Sequence, residues 1–145
     1  MKFREIKASD TYALRQKVLR PHLPIEENYY DDDHHAETLH MGAFIEGKLV
    51  SIVSLYHRSH AQLTSQKAFL LRGMATAVDY RWQGIGSKLI GKGIAILADR
   101  NADLIWCNGR VASKPYYLKM GFRAWGNVFE NAHGIPHIVM YKYLE

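Results

Sequence analysis

Apolar residues along this chain change their spacing several times, and each change marks an element. From Gly86, the positions Gly86, Leu89, Ile90, Gly93, Ile94 and Leu97 recur at helical offsets, which predicts an amphipathic helix over 86–97. Short apolar runs flank it at 68–75 and 104–108. Because a helix joins these two runs, they are predicted to be parallel neighbours in one sheet. Upstream, 3–6 reads as a first strand and Asp10 as the N-cap of a helix to 19, with Leu14 and Val18 on one face and Arg20-Pro21 as its stop. Residues 41–45 and 49–55 read as strands joined by a hairpin at Glu46-Gly47-Lys48. Ser113, Pro115 and Gly121 bracket a further helix: a cap, a first-turn proline and a closing glycine. Strands at 123–129 and 137–143 then surround a Gly-Ile-Pro turn. Antiparallel strands first and one crossover later indicate an α/β (α+β) fold, a single sheet with helices on both faces. Residues 21–40 carry two prolines and four histidines, and no periodicity resolves them.

The junction between the 68–75 run and the 86–97 helix carries the first chemical signal. Gly84 and Gly86 stand at the helix N-terminus, where backbone N–H groups lack partners and the macrodipole is positive. Such a place suits a phosphate or pyrophosphate, and Arg81 adds a planar donor fork. Gly84-Ile85-Gly86 opens a dinucleotide fingerprint, but Leu89 occupies the third glycine position. Residues 86–92 approximate a P-loop, but Gly93 stands where Ser or Thr would bind magnesium. Gly91 and Gly93 each cost such a helix about 1 kcal/mol relative to alanine, and close packing on the sheet is the expected compensation.

Composition narrows the class. At 145 residues, 48% of them hydrophobic, the chain suits one domain, burying roughly 70% of its unfolded surface. No apolar run approaches the roughly 18 residues of a membrane span, and the first residues lack a signal-peptide core, so a cytoplasmic location and no membrane partner are expected. The lone Cys107, within Leu104-Ile105-Trp106-Cys107, reads as a buried small hydrophobe. The net charge of +5 and pI near 9.3 suit an anionic ligand or a nucleic acid. No helix-turn-helix, RNP or zinc pattern accompanies that charge, so no nucleic-acid partner is expected. Six of the 14 acidic residues (Glu26, Glu27, Asp31, Asp32, Asp33, Glu37) fall within twelve positions. That loop is either a solvated surface or an attractor of cations. Its histidines match no firm zinc spacing, and no metal is expected.

Five segments together carry a family resemblance. Arg81-x-x-Gly84-x-Gly86 after a strand, Trp106-Cys107-Asn108-Gly109-Arg110, and Tyr116-Tyr117-Leu118-Lys119-Met120-Gly121-Phe122 are similar, in order and spacing, to the GCN5-related N-acetyltransferase (GNAT) superfamily. Residues 15–21 (RQKVLRP) and 136–140 resemble a branch of small bacterial members. The resemblance implies one GNAT-type domain over 1–145, a mixed, mostly antiparallel sheet of six to seven strands with a splayed parallel pair, and acetyl-CoA as acyl donor. It implies that Met74, Ala75 and Thr76 line the pantetheine arm through their backbone, while Arg81, Trp82, Gln83, Gly84, Ile85, Gly86 and Ser87 surround the pyrophosphate. Asn108 falls at a cofactor-contacting position. Tyr117 falls where relatives place the general acid for the departing thiolate, and Tyr116 is expected to be structural.

No carboxylate occupies 70–76, where some relatives carry a glutamate base. His137 is the first candidate base, with His40 and Glu130 behind it. Asp31, Asp32, His40 and Glu130 are the candidate acceptor contacts, and the acidic loop points to a cationic small-molecule or peptide amine. A homodimer stays open. Two other classes remain in view: a non-catalytic acyl-CoA-binding module and a basic nucleic-acid-binding domain.

Overall fold

The computed structural model describes residues 1–145. One seven-stranded sheet organises them, in the spatial order β1-β2-β3-β4-β5-β7-β6. The strands are β1 (Lys2–Glu5), β2 (Leu39–Ile45), β3 (Lys48–His57), β4 (Ala68–Thr76), β5 (Leu104–Arg110), β6 (Arg123–Glu130) and β7 (Pro136–Tyr143). Every neighbouring pair is antiparallel except β4 with β5. That exception follows from α2 (Ile85–Asp99), which carries the chain back across the sheet between them.

The parallel ladder contains only three pairs, ending at Leu70 with Trp106. Beyond it, β5 keeps register with β7 as far as Arg110. β4 does not follow, because its pairing with β3 shifts between Ile52 and Ser54 and Gly73 takes a φ of 68°. An extra residue accommodated this way bends a strand. The two strands therefore diverge and leave a wedge-shaped gap.

The stripe predicted for α2 buries Ile85, Gly86, Leu89, Ile90, Gly93 and Leu97 against Leu55, Phe69, Leu71 and Ile105 in the main core. A Cβ on Gly93 would lie 3.1 Å from Leu55 Cδ1, whereas one on Gly91 would meet nothing within 4 Å. Close packing thus accounts for Gly93 alone; Gly91 faces solvent.

On the opposite face lies α1 (Ala8–Leu14), which begins earlier than the sequence suggests. Lys7 is its N-cap residue, and Asp10 sits in the first turn, accepting the Lys7 backbone N–H at 3.0 Å. The helix then widens over Arg15–Leu19, where the Arg20 N–H reaches the Arg15 carbonyl at 3.2 Å. This wider turn aims Arg15 inward.

Arg15 anchors the segment that periodicity leaves undefined. Its guanidinium is fully buried and donates to Asp33 Oδ2 at 2.8 Å, Asp33 Oδ1 at 3.1 Å, the Asn28 carbonyl at 3.0 Å, Ser54 Oγ at 2.9 Å and Tyr56 Oη at 3.0 Å. The Tyr56 hydroxyl donates to Asp33 Oδ1 at 2.5 Å. His40 completes the group: its Nε2 donates to the Asp33 carbonyl at 2.8 Å, so Nδ1 accepts from Ser54 Oγ at 2.7 Å. Burial would raise the Asp33 carboxyl, but the bonds from Arg15, Tyr56 and the Tyr30 N–H outweigh it and hold it below the usual range. Burial also lowers His40, against the opposing bond to the Asp33 carbonyl. His40, a candidate base and acceptor contact, is therefore internal, as is Asp33 of the acidic loop.

Both shifts are depressions, so both contributions to stability are complete above the unfolded-state values and disappear as pH falls through the folded ones. Urea midpoints measured against pH are expected to decline below about 6.5 as unfolded His40 takes up a proton, and again below about 3.9 for Asp33. His40→Asn should flatten the upper step, and Asp33→Ala should cost about 3–5 kcal/mol at neutral pH.

Candidate active site

The open end of the gap is floored by the start of α2. Gly84 is its N-cap residue, with φ 74° and ψ 10°, a conformation that costs an L-residue about 1–2 kcal/mol. Arg81 Nε donates to the Thr76 carbonyl at 3.2 Å, fastening the turn to the end of β4, and its other N–H groups remain available. Ser87 Oγ donates back to the Gly84 carbonyl at 3.2 Å. Trp82 adopts φ 66° and is 100% exposed. Gly86 is buried, and a Cβ there would fall 2.1 Å from Met74 Cε and 3.0 Å from Tyr116 Oη. The glycine therefore makes room for two side chains that reach over the first turn of the helix. The Met74 side chain and the Tyr116 hydroxyl are site features that the sequence pattern did not single out.

The closed end of the gap is lined from α3 (Lys114–Lys119). Gly121, with φ 89°, ends this helix: its N–H bonds the Leu118 carbonyl at 3.0 Å and the Phe122 N–H bonds the Tyr117 carbonyl at 3.1 Å. This double closure turns the chain and leaves the Tyr117 ring against β5. The ring packs edge-on to Phe122 at 5.6 Å, and a Cβ on Gly109 would stand 3.1 Å from it. Its hydroxyl lies beside the Cys107 thiol, and burial first, then that thiol, raises the hydroxyl far above its ordinary pKa. Burial pushes Cys107 itself up to about 12, which leaves it an unreactive thiol at neutral pH. Cys107 is the first residue of β5 past the last parallel pair, so a neutral hydroxyl donor marks the apex of the wedge.

On the other face of β5, Asn108 is exposed, and Arg110 stands opposite His137 in β7. His137 Nδ1 donates to the Ile135 carbonyl at 2.7 Å, leaving Nε2 as an acceptor, and the ring stacks on Phe129 at 5.9 Å. His137 lies three residues along the strand from the apex, about 10 Å at strand rise. Glu130 is exposed opposite Pro136. The structure thus gathers Met74, Thr76, Arg81, Gly84, Gly86 and Tyr117 about the gap. It leaves His137 and Glu130 at its periphery, while His40 has both ring nitrogens committed inside the fold.

Half of the acidic loop's six carboxylates are paired, and Glu26, Glu27 and Asp31 are exposed without a salt bridge. Asp33 pairs with buried Arg15, Asp32 with Arg58 at 2.9 Å, and Glu37 with Lys67 at 3.7 Å. Asp31 remains exposed. The loop histidines do not converge: His34 Nε2 meets Tyr12 Oη at 3.2 Å, while His35 Nδ1 accepts the Glu37 N–H at 3.0 Å.

Comparison with known proteins gives a consistent result. The model of the acetyltransferase (GNAT) family matches residues 4–122. YitI of Bacillus subtilis (strain 168), described as an uncharacterized N-acetyltransferase, is 41% identical over 144 residues, spanning 99% of this chain and 97% of that one. The crystal structure of Escherichia coli ElaA superposes with a TM-score of 0.77 at 18% identity, covering 98% of this chain and 99% of its own. An aminoglycoside 6′-N-acetyltransferase complexed with coenzyme A gives 0.73 at 17% identity, with coverage of 99% and 97%. At these identities the two structures share the fold with this chain. No helix is long and apolar enough to cross a membrane.

Gly84→Val should strain the glycine turn and weaken coenzyme A binding about tenfold, as read by titration calorimetry. Unchanged affinity would show that the left-handed turn does not set the geometry of the anion site.

Proposed function

This chain belongs to the acetyltransferase (GNAT) family and is an acetyl-CoA-dependent N-acetyltransferase; from that premise we propose that it transfers the acetyl group directly to a primary amine, with Tyr117 as donor to the departing sulfur. The observation that supports this reading is the wedge itself, with a left-handed glycine turn ahead of a helix N-terminus at its mouth and a buried tyrosine hydroxyl of raised pKa at its apex.

The unpaired edge of β4 from Leu71 to Thr76 offers backbone groups to an extended pantetheine arm, which would pair as an added strand. Arg81, Gln83, Gly84, Ile85, Gly86 and Ser87 would hold the pyrophosphate, with Trp82 beside it at the surface. Asn108 borders the same gap from β5. Acetyl-CoA supplies an activated acyl carbon with a thiolate leaving group.

In the transfer, the amine nitrogen adds to the thioester carbon, the carbon–sulfur bond breaks, and the sulfur leaves as a thiolate that becomes the free thiol by taking a proton from water, balancing the proton the amine releases. Tyr117 meets the negative charge that grows on that sulfur. Its raised pKa keeps the hydroxyl protonated through neutral pH, so it donates a hydrogen bond throughout. The proton shed by the amine passes to water, with His137 Nε2 as a free lone pair on the acceptor face. The acceptor is a primary amine. Three of the six carboxylates of the acidic loop are committed to Arg15, Arg58 and Lys67, which leaves Glu26, Glu27 and Asp31 as its free charges.

Thiol release from acetyl-CoA across a panel of amines tests the reaction, and silence toward every amine would argue for a binding module instead. Tyr117→Phe should lower kcat about 10²-fold with little change in the KM for acetyl-CoA; full turnover would remove Tyr117 from the chemistry. His137→Ala should alter the acidic limb of the kcat/KM profile, and an identical limb would exclude it from the proton path.

A further inference from the structure

Three guanidinium groups gather on one aromatic ring next to the gap. The Cζ atoms of Arg15, Arg72 and Arg20 lie 4.0, 4.1 and 5.2 Å from the Tyr30 ring centroid, and Arg20 Nη1 also donates to the Tyr30 hydroxyl. Asp33 neutralises Arg15. Neither Arg20 nor Arg72 has a carboxylate within 4.0 Å. An aromatic face attracts each cation, but it carries no net charge and leaves the mutual repulsion of two uncompensated guanidiniums in place. Arg72 is exposed and Arg20 half-buried, so both guanidiniums are open to an incoming anion.

A second observation lies in the same cluster. Arg15 is wholly buried, yet its Nε has no hydrogen-bond partner, and it sits 3.3 Å from the position a Cβ on Gly73 would take. A buried donor with no acceptor is costly unless something supplies one. Gly73 belongs to the bulge that opens the gap, and Arg72 precedes it, two residues beyond the last β4 position paired with β5. Arg72 pairs with Ser54 and shares its face, the face of the Arg15 network and opposite the one occupied by α2 and Tyr117. The cluster therefore borders the thioester gap from the side left to the acceptor.

We propose that Arg20 and Arg72, positioned by Tyr30, bind an anionic group, a carboxylate or a phosphate, carried by the amine acceptor. Two planar donor forks suit the paired oxygens of either group. The inference rests on the acetyltransferase reading for the amine and reverses the expectation of a cationic acceptor that the acidic loop suggested. Small amines with an acidic substituent would be selected over polyamines.

The test compares matched acceptors by thiol release: amino acids against their carboxamides, and ethanolamine phosphate against ethanolamine. The wild-type enzyme should favour one anionic member by about tenfold or more in kcat/KM, the carboxylate and phosphate arms showing which group is read. Arg72→Gln and Arg20→Gln should raise the acceptor KM about tenfold while the acetyl-CoA KM holds, with Arg72→Lys in between. Preference for the neutral or cationic member, or discrimination that survives Arg72→Gln, would overturn the proposal. Calorimetric titration of the same acids and phosphates onto the coenzyme A complex separates the two readings. If no amine turns over, the acetyltransferase reading fails; anion binding lost in Arg72→Gln would then still support the site, and absence of such binding would overturn it.

Discussion

β4 takes in one more residue than β3 offers between Ile52 and Ser54, while β5 remains tied to β7 along its whole length. The two parallel strands cannot both satisfy these pairings and stay together, so their ladder stops after three pairs. From this mismatch come the unpaired backbone edge of β4, the exposed glycine turn ahead of α2 and the apex beside Cys107. A sheet normally hides its backbone groups within ladders. Here a stretch of them is left unpaired beside a gap, which is the physical basis of the proposed pairing with a pantetheine arm.

Each half of the gap has its own support. On the α2 side, Gly86 is small enough for Met74 and Tyr116 to close over the helix start, and Gly93 lets the helix lie close to Leu55. On the α3 side, Gly109 admits the Tyr117 ring and Gly121 ends the helix so that the ring stays in place. The Tyr117 hydroxyl, the donor in the proposed mechanism, is thereby held by core packing, and its burial raises its pKa. Rigid placement of a donor where charge develops is worth more than an exposed group of the same chemistry, because no reorganisation accompanies the reaction.

The opposite face is governed by charge. Arg15 and Asp33 form a buried pair whose remaining hydrogen-bonding capacity is largely met by Ser54, Tyr56, Tyr30 and Asn28. This network draws the 21–38 segment onto the sheet and consumes the carboxylate that would otherwise balance the neighbouring arginines. The acidic loop consequently presents less negative charge to the gap than its composition suggests, and the Tyr30 cluster presents more positive charge. In the proposed reading, recognition of the acceptor is tied to the same contacts that order the loop.

The elements whose determinants are local could be read directly from the chain. The α2 stripe, the glycine turn, the closing of α3 by Gly121 and the crossover between β4 and β5 depend on residue spacings within one or two turns, and the structure has each of them where the pattern put it. Family likeness was legible for the same reason, since its motifs are those local signals. The start of α1 was displaced because Asp10 serves a first-turn position as well as a cap. Residues 21–38 had no local signature at all: their order comes from Arg15 bonding Asp33 across 18 positions and Ser54 across 39. Sequence could count six carboxylates and several arginines but not which of them cancel, because pairing depends on burial and distance. Sequence alone therefore determined the elements that flank the gap, built from contiguous motifs, and only the tertiary structure decided which charges beside it cancel, because those groups meet across the fold.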